Sequence, residues 1–167
     1  MTTPDANPTE DAVNCEIEIK ASPERVFEAL TDPKQLFAWW GKEPSVKLMS
    51  FEMDARPGGR WGFRCKPVPG ADHGAVGEQM KNRGEDFVAH GEILECVPPR
   101  LLVWSWLANW HQHPTAPTVV RWDLTPTATG TRVRVTHSAL KQEPIARKDY
   151  GSGWVGVLRL LQNHLQK

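Results

Sequence analysis

The side chains best suited to proton transfer or metal binding in this 167-residue chain are its six histidines and three cysteines. His111 and His113 form a His-x-His pair, which in a strand would aim both imidazoles to one side as half of a zinc site. They lie instead in a Pro/Gln/Thr stretch with no third acidic or cysteine ligand nearby, so no metal is expected. His137 ends an otherwise apolar face and could meet the polar head of a ligand; the plainer reading is a histidine satisfied near a strand end. His90 sits in a run whose inward phase the sequence leaves open. Glu92 and Glu95 differ by three positions, so in a strand they face opposite sides and cannot act as one acid/base pair. Cys15, Cys65 and Cys96 are odd in number and lack CxxC spacing, which argues against a disulfide framework and a structural zinc. There is no Gly-x-Ser-x-Gly elbow, phosphate-cradling loop or Rossmann fingerprint. No catalytic residue, metal or cofactor is assigned.

The aromatic residues carry a different chemistry. Eight tryptophans stand against one tyrosine and five phenylalanines. Each buried indole supplies large rigid area and one N–H that needs a partner. Trp61, Phe63, Trp104, Trp106 and Trp122 are expected on the concave face of a sheet. Trp154, Leu158 and Leu161 face them from a helix, and Trp40 closes one end beside Trp39. Together with His137 as polar anchor, these are the candidate residues for holding an apolar or aromatic ligand. The alternative is that the concave indoles pack on one another and fill the space.

These residues need elements to position them. Val13 to Lys20 alternates as a strand with Val13, Cys15, Ile17 and Ile19 on one face. Ser22-Pro23-Glu24 and Asp32-Pro33 each start a short helix, with an N-cap followed by proline at the first helical position. The second of these ends at Gly41. Strands then follow: one with Met49, Phe51 and Met53 inward, the Gly58-Gly59 turn, and one with Trp61, Phe63 and Cys65 inward. Residues 67–84 read as a long loop, and Phe87 to Val97 as a strand turned by Pro98-Pro99. Three further strands place Leu102, Trp104 and Trp106, then Val120, Trp122 and Leu124, then Val133, Val135 and His137 on their inner faces. From about Ile145 to Leu165 the period becomes helical, with Trp154, Leu158, Leu161 and Leu165 on one side and Arg159, Gln162 and Gln166 facing away. A helix of that length obliges the strands to curl around it.

Composition narrows the partners. Twenty basic and twenty acidic residues cancel without a basic stripe, which argues against nucleic acid. No apolar run reaches the ~20 residues of a membrane span. Residues 1–11 are expected to be a disordered leader without the apolar core of a signal peptide, and 12–167 a single domain in the cytoplasm.

The segments Ala-Ser-Pro-Glu-Arg-Val-Phe-Glu-Ala-Leu-Thr-Asp-Pro, Trp-Trp-Gly, Arg-Pro-Gly-Gly-Arg-Trp, Gly-Glu-Ile-Leu-Glu-Cys-Val-Pro-Pro-Arg-Leu-Leu-Val-Trp and Gly-Thr-Arg-Val-Arg-Val-Thr-His-Ser occur in this order. From about Val13 to Leu165 the chain resembles the bacterial single-domain proteins related to the C-terminal domain of the heat-shock-protein-90 ATPase activator, in the START/Bet v 1-like (SRPBCC) superfamily. The resemblance implies an α+β helix-grip fold: an antiparallel sheet curved around a long C-terminal helix, with two short helices after the first strand. It also implies a hydrophobic pocket. The eukaryotic activator's separate N-terminal domain has no counterpart in residues 1–11, so co-chaperone activity does not carry over with the resemblance. The leading expectation is a non-enzymatic binder of a hydrophobic, lipid-like or aromatic small molecule, as monomer or homodimer. A chaperone-associated interaction module and a cyclase- or hydrolase-type enzyme on the same fold are the alternatives.

Overall fold

A computed structural model describes residues 2–4, 11–81 and 83–166 of the chain. Alternation of inward and outward side chains yields β2 (Val13–Ile19), β4 (Arg60–Pro67), β7 (Thr118–Pro126) and β8 (Thr131–Ser138), each with one mostly apolar face buried. With β1 (Thr2–Pro4), β3 (Val46–Met53), β5 (Phe87–Val97) and β6 (Leu101–Ala108) they form one antiparallel sheet in the order β1-β2-β8-β7-β6-β5-β4-β3. Every neighbour from β3 to β8 is a sequential meander. The pairing of β2 with β8, Val13 opposite His137, is the long-range closure that brings the two ends of the chain together. The sheet curls over one long helix in a Bet v 1-like half-barrel, as expected.

The short β1 pairs its backbone with β2, Thr2 opposite Ile17, within the leader expected to be disordered. Residues 1 and 5–10 of that leader lie outside the described residues.

The helix signals act as chemistry predicts. Ser22 accepts from the Arg25 amide to cap α1 (Pro23–Thr31), and Asp32 accepts from the Lys34 amide to cap α2 (Pro33–Trp40). Two inward phases differ from the simple alternation, and both for the same reason. A β-bulge between Leu48 and Ser50 buries Leu48 and Phe51 and leaves Met49 and Met53 half-buried. A second bulge between Ile93 and Glu95 follows the buried run Phe87, Ala89 and Ile93, which sets His90 on the outer, exposed face.

The Gly58-Gly59 turn uses its two glycines differently. Gly58 adopts φ +85°, which favours glycine, whereas a Cβ on Gly59 would stand 2.0 Å from the Asp54 carbonyl oxygen. The turn is pinned to β5 by Gly58 N–H to Ile93 O and Ile93 N–H to Gly59 O.

The segment 67–84 is not all loop: α3 (Gly74–Met80) forms within it. Its first turn is capped from outside, since both Asp149 carboxylate oxygens accept from the Ala75 and Val76 amides at 3.1 and 2.8 Å. That bond ties α3 to the terminal helix α4 (Pro144–Leu165), 22 residues long. Gln162 and Gln166 do not face away. Gln162 Nε2 donates to Glu18 O and the Lys20 amide donates to Gln166 Oε1, so the end of α4 is laced to β2.

Candidate functional site

The space between sheet and α4 divides into a filled half and an open half. In the filled half, Trp61 stacks on Trp104 with centroids 4.7 Å apart, and Trp104 meets Trp122 edge-on at 5.9 Å. Gly91 makes room for this packing. A Cβ there would lie 1.9 Å from Ser105 O and 2.8 Å from Trp61 Nε1, which crosses β5 to donate to that same carbonyl at 2.8 Å. Leu158 and Leu161 of α4 are fully buried outside the open half.

The open half is a cavity of ≈ 670 Å³. Its walls are Trp40, Phe63, Phe87, Trp106, Trp110 and Trp154, with the aliphatic side chains of Val46, Val157 and Leu160. Most of these rings meet edge-on or tilted (Trp40–Phe63 5.6 Å, Phe63–Trp106 5.8 Å, Trp106–Trp154 5.6 Å), while Phe63 and Trp110 stack at 6.4 Å. On one side the cavity is bordered by small, solvent-exposed residues of α4. Ser152, Gly153 and Gly156 line it, and a Cβ added to Gly153 or Gly156 would meet nothing within 4 Å. Glycine inside a helix costs ~1 kcal/mol relative to alanine. No packing neighbour demands these glycines, so a stability cost is borne where α4 borders the hollow.

Beneath the cavity lies a polar centre. The buried Tyr150 hydroxyl accepts from Trp106 Nε1–H at 3.1 Å and Trp110 Nε1–H at 3.0 Å. Indoles only donate, so both lone pairs of the oxygen are used and its own proton goes to His111 Nε2, 2.6 Å away. His111 is therefore held neutral as an acceptor at Nε2. Burial lowers its pKa, against the opposing charge of Glu143. The same burial raises the Tyr150 pKa. Glu143, itself buried, accepts from the Gln112 and His113 amides at 2.6 and 2.8 Å, clamping the 110–117 connection to the start of α4.

His137 belongs to a second directed chain. Trp154 Nε1–H donates to His137 Nδ1 at 3.2 Å. Thr118 gives its proton to Trp106 O at 2.9 Å, so it must accept from His137 Nε2–H at 2.7 Å. Both ring nitrogens are occupied, the ring is buried, and its pKa falls well below the ordinary value through desolvation and then the nearby His111. His137 is not among the cavity-lining residues.

Of the residues expected at the site, Trp40, Phe63, Trp106 and Trp154 line the cavity. Trp61, Trp104, Trp122, Leu158, Leu161 and His137 form the solid packing beside it. Sequence reasoning missed Phe87, Trp110 and Tyr150. Tyr150 was findable, being one turn before Trp154 on the same helical face, as was the unusual glycine content of residues 151–156. His90 and His137 do not converge, and His113 is exposed while His111 is buried. Among the described residues no group of three His, Cys, Asp or Glu could hold a metal ion, and no helix is long and apolar enough to cross a membrane.

Comparison with known proteins agrees with this architecture. Residues 20–166 match a family model described as Activator of Hsp90 ATPase homolog 1-like protein. A search of curated proteins finds no match. A Rhodobacter sphaeroides crystal structure superposes with TM-score 0.73 at 18% identity, covering 99% of this chain and 95% of that one. A Mesorhizobium loti protein gives 0.64 at 26% identity over 93% and 96% of the two chains. The solution structure of an AHSA1-like protein from Aeromonas hydrophila gives 0.67 at 19% identity over 93% and 92%. On the family match, the chain belongs to the Activator of Hsp90 ATPase homolog 1-like family.

Proposed function

We propose that this protein binds an apolar or aromatic small molecule in the cavity between β3–β6 and α4. The observation that carries the reading is the pairing of an aromatic-walled hollow of ≈ 670 Å³ with exposed helix glycines that leave its α4 margin uncovered. That volume lies within the range of small-molecule sites, ~300–1,000 Å³, which are mostly apolar with a few polar groups. The Tyr150 hydroxyl at the cavity floor has its lone pairs and proton committed to Trp106, Trp110 and His111. Hydrogen bonding to a ligand therefore falls to the rim, and burial of rings supplies the affinity.

The test is calorimetric titration of solvent-extracted protein with 1-naphthylmethanol, alongside thermal unfolding. Saturable binding with a rise in melting temperature is expected. Gly156→Leu, which adds a bulky side chain where α4 borders the hollow, is expected to abolish binding while remaining folded. Absence of both heat and thermal shift in the parent protein would remove this reading.

The family description favours a second reading, contact with an Hsp90-type chaperone. Arg132 and Arg134 stand on the exposed face of β8, opposite Glu18 and Glu16 across the strand pair. Stimulation of the chaperone's ATPase that disappears on charge reversal of both arginines would favour this reading; an unresponsive ATPase would dismiss it.

A further inference from the structure

The cavity has a polar rim, and its charges are of one prevailing sign. Glu43, Asp72 and Asp149 supply three carboxylates among the lining residues, against the single guanidinium of Arg159. Asp149 has both oxygens engaged by the α3 amides, whereas Glu43 and Asp72 each keep one oxygen unengaged. Both bonds from Ser45 reach Glu43 through Oε2, and the Gly74 amide reaches Asp72 through Oδ1. Glu43 Oε1 and Asp72 Oδ2 therefore have no partner among the described residues. Arg159 lies at the exposed outer margin of α4, seven residues beyond Ser152 on the same edge.

Resting on the ligand-binding reading above, we propose that the cavity selects ligands with an apolar or aromatic body and a cationic head, an organic ammonium held at Glu43 and Asp72. The body occupies the ring-walled interior, and the ammonium donates to the two open carboxylate oxygens at the mouth. Aromatic faces behind the mouth add to the attraction, because their quadrupole favours a cation within ~6 Å of a ring centroid. Carboxylate charges also bear, after burial, on two lining groups. The Cys65 thiol is pushed up to about 12, first by burial and then by the charges of Glu43 and Asp86. Besides burial, the charges acting on Tyr150 are those of Glu143 and Asp149. At both positions the neighbouring charges are carboxylates. An anionic head would enter against that field; a neutral one would gain nothing from it.

Three matched naphthalenes test this by calorimetry at pH 7.5 and low salt: 1-naphthylmethylammonium, 1-naphthylmethanol and 1-naphthoate. The ammonium is expected to bind about tenfold more tightly than the alcohol, and the carboxylate more weakly than either. Because the rim is open to solvent, the ammonium's advantage should shrink several-fold in ~0.5 M salt. In the double variant Glu43→Gln, Asp72→Asn the ammonium-to-alcohol ratio should fall toward one. The salt series on the parent protein decides the matter even if that variant fails to fold. Alcohol binding with no ammonium preference, or carboxylate binding that is tightest and lost in Arg159→Gln, would overturn the charge assignment and leave the cavity reading standing. If none of the three binds, both readings fall together.

Discussion

Tyr150 is the only tyrosine in the chain, and its hydroxyl serves three buried nitrogens at once. Removing a buried hydrogen-bonding atom costs more than the bond itself, because its partners are left without solvent. Tyr150→Phe orphans Trp106 Nε1, Trp110 Nε1 and His111 Nε2 together. It is expected to destabilise the fold by ~2–4 kcal/mol, read by denaturant unfolding; a loss under ~1 kcal/mol would mean the three nitrogens find other partners. Trp104 Nε1, Trp122 Nε1 and His111 Nδ1 have no hydrogen-bond partner among the described residues, so the interior already tolerates some unmet donors. Residue types hinted at part of this arrangement. A lone tyrosine one turn before Trp154 is visible in the sequence, but its convergence with Trp110 is not. Trp110 sits in an irregular connection whose path depends on Glu143, more than thirty positions away in sequence.

Among the elements, α4 shows a trade between helix propensity and empty volume. Gly156→Ala adds one methyl where nothing stands within 4 Å, so the substitution should stabilise by ~0.5–1 kcal/mol through propensity alone. Chemical denaturation of the single variant checks this, and a destabilisation would show that the hollow is not free space. The strands β2, β4, β7 and β8 were legible because each buries one clean face, and a period of two survives as long as pairing is regular. The phases of β3 and β5 were not, since one inserted residue at a bulge changes which side chains point inward and depends on the partner strand's register. Helix α3 escaped notice for a related reason. Its N-cap residue His73 makes no side-chain cap, Asp72 reaches only the Gly74 amide, and the Ala75 and Val76 amides take their acceptors from Asp149 on α4.

For the whole molecule, the two buried histidines make stability depend on pH with a definite sign. Both pKa values are lowered in the folded state, so the unfolded chain binds more protons than the native one once pH drops below its ordinary histidine value of ~6.5. Stability is therefore complete above about pH 7 and declines as pH falls from there toward 5. The slope should approach ~1.4 kcal/mol per pH unit for His137, whose pKa falls well below the ordinary value, and His137→Gln should remove that share. Denaturant unfolding at half-unit steps measures this; a flat profile across pH 5–7 would contradict the burial of both rings. The global architecture was readable because the helix-grip order of segments constrains it as a set. Whether the interior was hollow or solid was not readable, and the answer is spatially split. Trp61, Trp104 and Trp122 fill one half, while Gly153 and Gly156 leave the margin of the other uncovered.

That missing mass in α4 has a physiological corollary. A guest in the hollow would supply the contacts the helix forgoes, so the occupied form is the sturdier one by mass action. Steady-state amounts of the protein in a cell would then track the supply of its guest, since the vacant form is cleared sooner by proteases. On the proposed ligand-binding reading, abundance would itself gauge that guest.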